Sequence, residues 1–474
     1  MSEMLEKARK YEFIQGQQIK EEERPAFHIT PYVGWMNDPN GFSCYKGEYH
    51  LFYQYNPYNT HWDSMHWGHV VSKDLLHWDY LPAALAPDQD YDKVGCFSGS
   101  AIELEDGRQL LMYTAVDREI LEDGTARDVQ TQAVAVGDGK DYVKYDKNPV
   151  LTFKNLPEGA SRVDFRDPKI WKEKDGNFYC VIGSRPADGS GQILLYRSKN
   201  GFEWEFVSTL AENKNRYGKM WECPDFYQLG DKYVLTFSPM GSGDHTSVYL
   251  TGDFDYKTGK FDWHISGEMD WGFDFYAPQS MVAPDGRRLI VAWANEWEWM
   301  PLFKDWGPTY QEGWCGFFNV IREVRMCKDG TLAFVPVEEM EKIRENKFTQ
   351  REIQITETPQ QLKAGDGISF EMKFTLDLEE TDADRVELKL RCGKEKESRC
   401  IFDLKNGELL VDRSCADGWS VGTSRSVLKV SEKSLDVHIF SDQSSLEIFT
   451  DQYRNNHSNN IFAGNDQDAI SISA

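Results

Sequence analysis

No stretch of the 474-residue chain approaches the ~18–20 consecutive apolar residues that a membrane-spanning helix needs. The longest apolar runs are strand-sized, such as Leu289–Ala294. The N-terminus, MSEMLEKARKYEFIQGQQIKEEERP, is charged throughout and lacks the apolar core of a secretory signal, so a cytoplasmic protein is expected. The nine cysteines are scattered and contain no CxxC pair, which argues against a zinc knuckle and against a disulfide framework. Positive charge is also scarce. With 53 Lys and Arg against 78 Asp and Glu, the net charge is −25, which disfavours nucleic acid and anionic membrane surfaces as partners. What is plentiful is aromatic: 15 Trp, 22 Tyr and 27 Phe, a composition that suits β structure and flat faces for sugar rings.

The first ~24 residues read as one amphipathic helix closed by Pro25, with Glu21–Glu23 as a solvated face. From His28 to Pro336 strand-like alternation replaces helical periodicity, and a repeat emerges. A Gly turn with a charged neighbour precedes an aromatic-rich or apolar strand five times: KGEYHLFYQ, DGRQLLMYT, DGNFYCVIG, GDKYVLTFS and DGRRLIVAW. The turn glycines, Gly47, Gly107, Gly176, Gly230 and Gly286, are spaced by 60, 69, 54 and 56 residues, each enough for a four-stranded sheet. SKDLLHW and SKNGFEW mark the same outer hairpin in two of these units. Five units predict a five-bladed β-propeller. The segment 337–350 reads as a linker helix, and the clean alternation over 351–474 as a β-sandwich, giving an all-β chain with a short N-terminal helical extension over 1–27.

Eight or nine residues before the turn glycines lie Asp38 in WMNDPNG, Ser98 in FSGSA, Asp167 in FRDPK, Glu222 in WECPD and Ala277 in FYAPQ. In a propeller the equivalent ends of the innermost strands meet at one mouth of the central channel. Asp38, Asp167 and Glu222 are therefore expected to converge, each stiffened by a proline one or two residues on. Converging carboxylates among aromatics suit glycosidic-bond cleavage, which needs one proton-donating acid and one ionised carboxylate in different surroundings. Glu222, with the longer side chain and Trp221 as an apolar wall, reads as the acid/base. Asp38, among Asn37, Asn40 and turns, reads as the nucleophile. Asp167, held ionised by Arg166, reads as a grip on sugar hydroxyls. Any one of these motifs alone is ordinary turn chemistry. A non-catalytic sugar-binding propeller and a five-bladed glycosidase acting on arabinans remain as alternatives.

In order, WMNDPNG, HLFYQYNP, WGHVVSKDLLHW, FSGSA, FRDPK and WECPD resemble glycoside hydrolase family 32, the invertases, sucrose-6-phosphate hydrolases and fructanases. The resemblance runs from about His28 to Pro336 and more weakly beyond. It implies a propeller followed by a sandwich, and retaining hydrolysis of β-fructofuranosides such as sucrose, sucrose-6-phosphate or short fructo-oligosaccharides. It makes Asp38 the nucleophile, Glu222 the acid/base and Asp167 the transition-state stabiliser. Pocket positions carry over onto Asn37, Gln54, Trp62, Phe97, Ser98 and Arg166, and more loosely onto Tyr276 and Trp293. The expected partner is a small sugar, with no cofactor and no metal, and with the N-terminal helix and the sandwich each offering a face to a second copy. Two features depart from the family: Ile321 stands where Pro is usual, and the tail from Asp451 is polar and irregular.

Three further groups have two readings each. Cys223 tunes the Glu222 proton, or is a small buried apolar side chain. His61, His66, His69 and His77 match no common metal spacing and read as packed histidines. Trp297, Trp299 and Trp306 form either a platform for further sugars or core packing against the sandwich.

Overall fold

The computed structural model describes residues 1–20, 24–186, 188–212, 216–243, 245–363, 367–430 and 433–474. The Glu21–Glu23 run lies outside them. The chain is all-β, with 51% of it in strands and 7% helical. Among the described residues the strands form seven sheets. Five follow one another from Gly34 to Pro336, opening with strands Gly34–Tyr45, Gly95–Glu103, Ala160–Lys172, Met220–Leu229 and Tyr276–Val282. Each opening strand contacts the next, and the fifth contacts the first. The five repeat turns carry Gly47, Gly107, Gly176, Gly230 and Gly286 at positive φ with open space where a Cβ would sit, so conformation alone calls for glycine there.

Both faces of these sheets are buried because each packs on two neighbours. In strand Gln109–Ile120, Leu110 and Met112 join a core with the third sheet, while Leu111 and Tyr113 join a core with the first. Separate cores likewise lie between the third and fourth, the fourth and fifth, and the fifth and first sheets. Two-residue periodicity thus sorts one run of apolar residues into two cores.

The N-terminal helix, Glu3–Gly16, is shorter than expected. The Ser2 hydroxyl caps it by accepting from the Leu5 amide. Tyr32 ends its packing, since a Cβ on Gly16 would fall 2.5 Å from the Tyr32 ring. Its buried face docks on strand Trp78–Leu85, the outer edge of the first sheet, where the Ala83 amide donates to Glu12 (2.8 Å) and Arg9 donates to the Ala83 carbonyl (2.9 Å). Two side chains thereby satisfy a peptide group that an edge strand would leave open.

After Pro336 the anticipated linker helix is a 3₁₀ helix, Glu338–Ile343. Two further sheets, of six and four strands, enclose one apolar core. The chain's last strand, Ala469–Ser473, forms between Gln360–Leu362 and Arg385–Cys392. The polar tail hides a second strand, Asn455–Asn460, whose six residues are all buried against the fifth-sheet region. Its Asn456 and Ser458 carbonyls accept from the Trp271 (2.7 Å) and Asp274 (3.1 Å) amides. Here a buried charge network also crosses between the two parts. Arg322 donates to Asp270 (2.8 Å), Glu447 (2.7 Å) and Ser458 (2.6 Å), and His28 bridges Asp442 (2.8 Å) and Glu447 (3.0 Å). Ile321 sits in the core beside this network, and its carbonyl accepts from Val337 (3.0 Å).

Candidate active site

Each of the five opening strands carries a β-bulge at its motif, between Met36 and Pro39, Phe97 and Gly99, Arg166 and Lys169, Glu222 and Asp225, and Tyr276 and Gln279. A bulge re-aims the side chains beside it. In the third, fourth and fifth strands the bulged residue has positive φ and precedes proline: Asp167, Cys223 and Ala277. Register therefore equates Glu222 with Arg166 and Tyr276, not with Asp167. The shorter turn before Gly230 hides this offset in the sequence. The three equated side chains meet. Arg166 Nε donates to Glu222 Oε1 (2.9 Å), and the Tyr276 hydroxyl donates to Glu222 Oε2 (2.6 Å).

Asp38 is buried and accepts from the Ser98 hydroxyl (2.6 Å), Asn37 (3.2 Å) and the Cys223 thiol (3.5 Å). Burial pushes its carboxyl up to about 6, the charge of Glu222 adds to the rise, and Ser98 and Asn37 oppose it. Asp167 accepts from the Cys223 amide (2.9 Å), and its own amide donates to Thr114 (2.7 Å). Its carboxyl is raised as well, by burial first and then by Glu222 and Asp38, against the pull of Arg166. Arg166 stands 4.0 Å from Asp167 and bonds Glu222 and Asp164 (3.0 Å) more closely. The expectation that Arg166 chiefly holds Asp167 thus needs correcting: the guanidinium is aimed at Glu222. Trp221 is corrected too. Strand alternation turns it away from Glu222 into the core between the third and fourth sheets, stacked 4.0 Å from Phe237. Cys223 contacts two acids at once, and its thiol donates to Asp38 rather than to Glu222.

Residues 28–336 match the profile described as Glycosyl hydrolases family 32 N-terminal domain, and residues 339–474 match Glycosyl hydrolases family 32 C terminal. The chain belongs to glycoside hydrolase family 32. It is 37% identical over 451 residues to a sucrose-6-phosphate hydrolase of Zymomonas mobilis, covering 90% of this chain and 83% of that protein. It is 36% identical over 464 residues to a raffinose invertase of Escherichia coli, covering 95% and 92%. Among solved structures, a β-fructofuranosidase of Bombyx mori superposes with a TM-score of 0.83 at 33% identity, covering 99% of this chain and 96% of that one. The chain is accordingly a glycoside hydrolase that acts on fructosides.

Around the acids of this family 32 hydrolase stands an aromatic wall of Trp35, Tyr276 and Trp293, with Trp62, Phe97 and Trp297 packed against it. Trp293 contacts Trp35 edge-on (5.9 Å) and Trp297 (4.6 Å). Gln54 is buried and donates to the Cys96 carbonyl (2.9 Å). The three tryptophans of the loop divide. Trp297 faces Trp293 and Tyr276. Trp299 and Trp306 pack on each other (5.1 Å), on Arg413 and on Phe462, between the two parts of the molecule. The histidines divide. His66 and His69 are buried core groups, with His69 stacked on Phe52 (3.9 Å), bonded to His50 (3.0 Å) and held low in basicity by burial. His61 is half-buried near Asp305 (3.6 Å), whereas His77 is exposed and pairs with Asp74 (2.8 Å), which corrects the packed reading for that residue.

Two residues escaped the sequence reading. Thr114 accepts from the Asp167 amide and donates to the Ser98 carbonyl (3.1 Å), joining two motifs. It sits in a second strand with no local mark. Asp164 pairs with Arg166 (3.0 Å), and their two-residue spacing on one strand face was a legible signal.

Proposed function

We propose that this hydrolase is a retaining β-fructofuranosidase that releases terminal fructose from sucrose, sucrose-6-phosphate or short fructo-oligosaccharides. Asp38 attacks the anomeric carbon of the fructosyl unit while Glu222 protonates the departing oxygen. Water then cleaves the fructosyl–Asp38 ester with Glu222 as base. Asp167 grips fructose hydroxyls, and Arg166 and Tyr276 orient Glu222. Asn37, Gln54, Trp62, Phe97, Ser98 and Trp293 shape the pocket. The carrying observation is the convergence of the three carboxylates from three sheets, with Cys223 in contact with two of them.

The reading includes a five-bladed β-propeller over 28–336, supported by opening strands that touch in closed order. It also includes a short link over 337–350 and a β-sandwich over 351–474, supported by two sheets around one core. A cytoplasmic site of action is supported by nine cysteines that are all free thiols. The test is kcat/KM on sucrose, sucrose-6-phosphate, kestose and inulin, with the anomer of released fructose followed by NMR. Turnover with retention is expected. An inverted product, or no turnover of any of the four, would overturn the assignment.

A further inference from the structure

We infer that Phe303 is a stacking platform for the sugar rings of the leaving group, an inference that rests on the fructosidase reading above. From Asp38 outward, contacts run through Ser98 to its neighbour Phe97, then to Trp62 edge-on (5.7 Å, 84°), then to Phe303 edge-on (5.8 Å, 88°). Exposure rises along this line from buried Ser98 to Phe303, which is 71% exposed. Phe303 is thus the outermost ring of a continuous aromatic path that begins at the proposed nucleophile.

Its loop is held firmly. The Trp62 amide donates to the Leu302 carbonyl (2.8 Å), and Thr60 donates to Asp305 (2.9 Å), with His61 also 3.6 Å from Asp305. Met300 on one side of Phe303 is buried, and Leu302 packs into the aromatic wall. An isolated exposed phenyl on a surface loop needs no explanation. This one is fixed on both flanks by hydrogen bonds, adjoins the pocket wall, and leaves most of its ring surface open to solvent. Such a face suits the apolar C–H surface of a neutral sugar ring, and pre-fixing the loop removes the ordering cost of binding. Neutral oligosaccharides such as kestose, which extend past the first ring, gain most from it.

The test compares wild type, Phe303→Ala, Phe303→Leu and Phe303→Trp on kestose and sucrose. Phe303→Ala is expected to raise KM for kestose about tenfold, equivalent to about 1.4 kcal/mol, with little change in kcat and a smaller effect on sucrose. Phe303→Trp keeps a flat face and restores KM, while Phe303→Leu does not. An unchanged kestose KM in Phe303→Ala overturns the platform. So does a fall confined to kcat, or full rescue by leucine, because each would mean Phe303 only packs Trp62. A wild-type enzyme inactive on every fructoside would instead remove the reading beneath it.

Discussion

Asp38 and Asp442 are both buried aspartates, and the protein treats them in opposite ways. Asp442 accepts from the Ala26 amide (2.9 Å), the Phe27 amide (3.1 Å), Ser369 (2.8 Å) and the His28 ring (2.8 Å). Although burial opposes its charge, these donors hold its carboxyl below the ordinary range. Asp38 has one hydroxyl, one longer amide contact and one thiol, with Glu222 adding like charge, and its carboxyl rises to about 6. Around the site, one guanidinium, Arg166, faces Asp164 and Glu222 and approaches Asp167. Between the two parts of the molecule, Arg322 and His28 are matched to Asp270, Glu447 and Asp442 by short bonds. The same residue types therefore give poised chemistry where donors are few and a fixed junction where they are many. Asp274 shows that even a close cation and an amide donor are not enough: with Arg413 at 2.6 Å and the Asn460 amide at 2.5 Å, burial still raises it to about 6.

The comparison sharpens most at Arg322. Replacing it with Met leaves Asp270 buried without its cation and Glu447 with His28 alone, and loss of one partner of such a pair costs about 3–5 kcal/mol. Denaturant unfolding should show that loss, while kcat of the folded enzyme stays near wild type because Arg322 bonds Asp270 and Glu447 and not Asp38, Asp167 or Glu222. Next is His28. Burial disfavours its charged form, but Asp442 and Glu447 raise it from 6.5 to about 9. Its stabilising contribution is thus complete below pH 6.5 and fades as pH rises toward about 9. Each pH unit separating the folded and unfolded titration points is worth about 1.4 kcal/mol, so the wild type should lose about 3 kcal/mol across that window relative to His28→Gln. A stability difference that does not vary with pH would mean that His28 is neutral in the junction.

Much of the fold and the acidic motifs was legible in the sequence, the junction around Asp442 was not, and the hidden parts of the site share a cause. The turn glycines and the acidic motifs are local signals: a positive-φ turn demands glycine wherever it occurs, and the repeat multiplies it. The one-residue offset of Glu222 was not legible, because a bulge is defined only by the partner strand. Arg166 was misaimed for the same reason, whereas Trp221 follows from strand alternation, which puts neighbouring residues on opposite faces. NNHSNN reads as a solvated tail, yet it is a buried strand. Its partners, Asp270, Asp274, Ser424 and Ser426, come from distant segments.

The direct test of the contrast is the stability of Asp38→Asn above pH 7. Because the folded-state carboxyl of Asp38 titrates near 6 and not near 3.8, its charge destabilises the fold once pH exceeds that window. With each pH unit of that window again worth about 1.4 kcal/mol, the Asp38→Asn enzyme should be more stable than wild type by about 1–3 kcal/mol at about pH 7.5. The gain should vanish near pH 4. A variant less stable than wild type above pH 7 would mean that Asp38 is as well supported as Asp442. The site would then hold no poised charge.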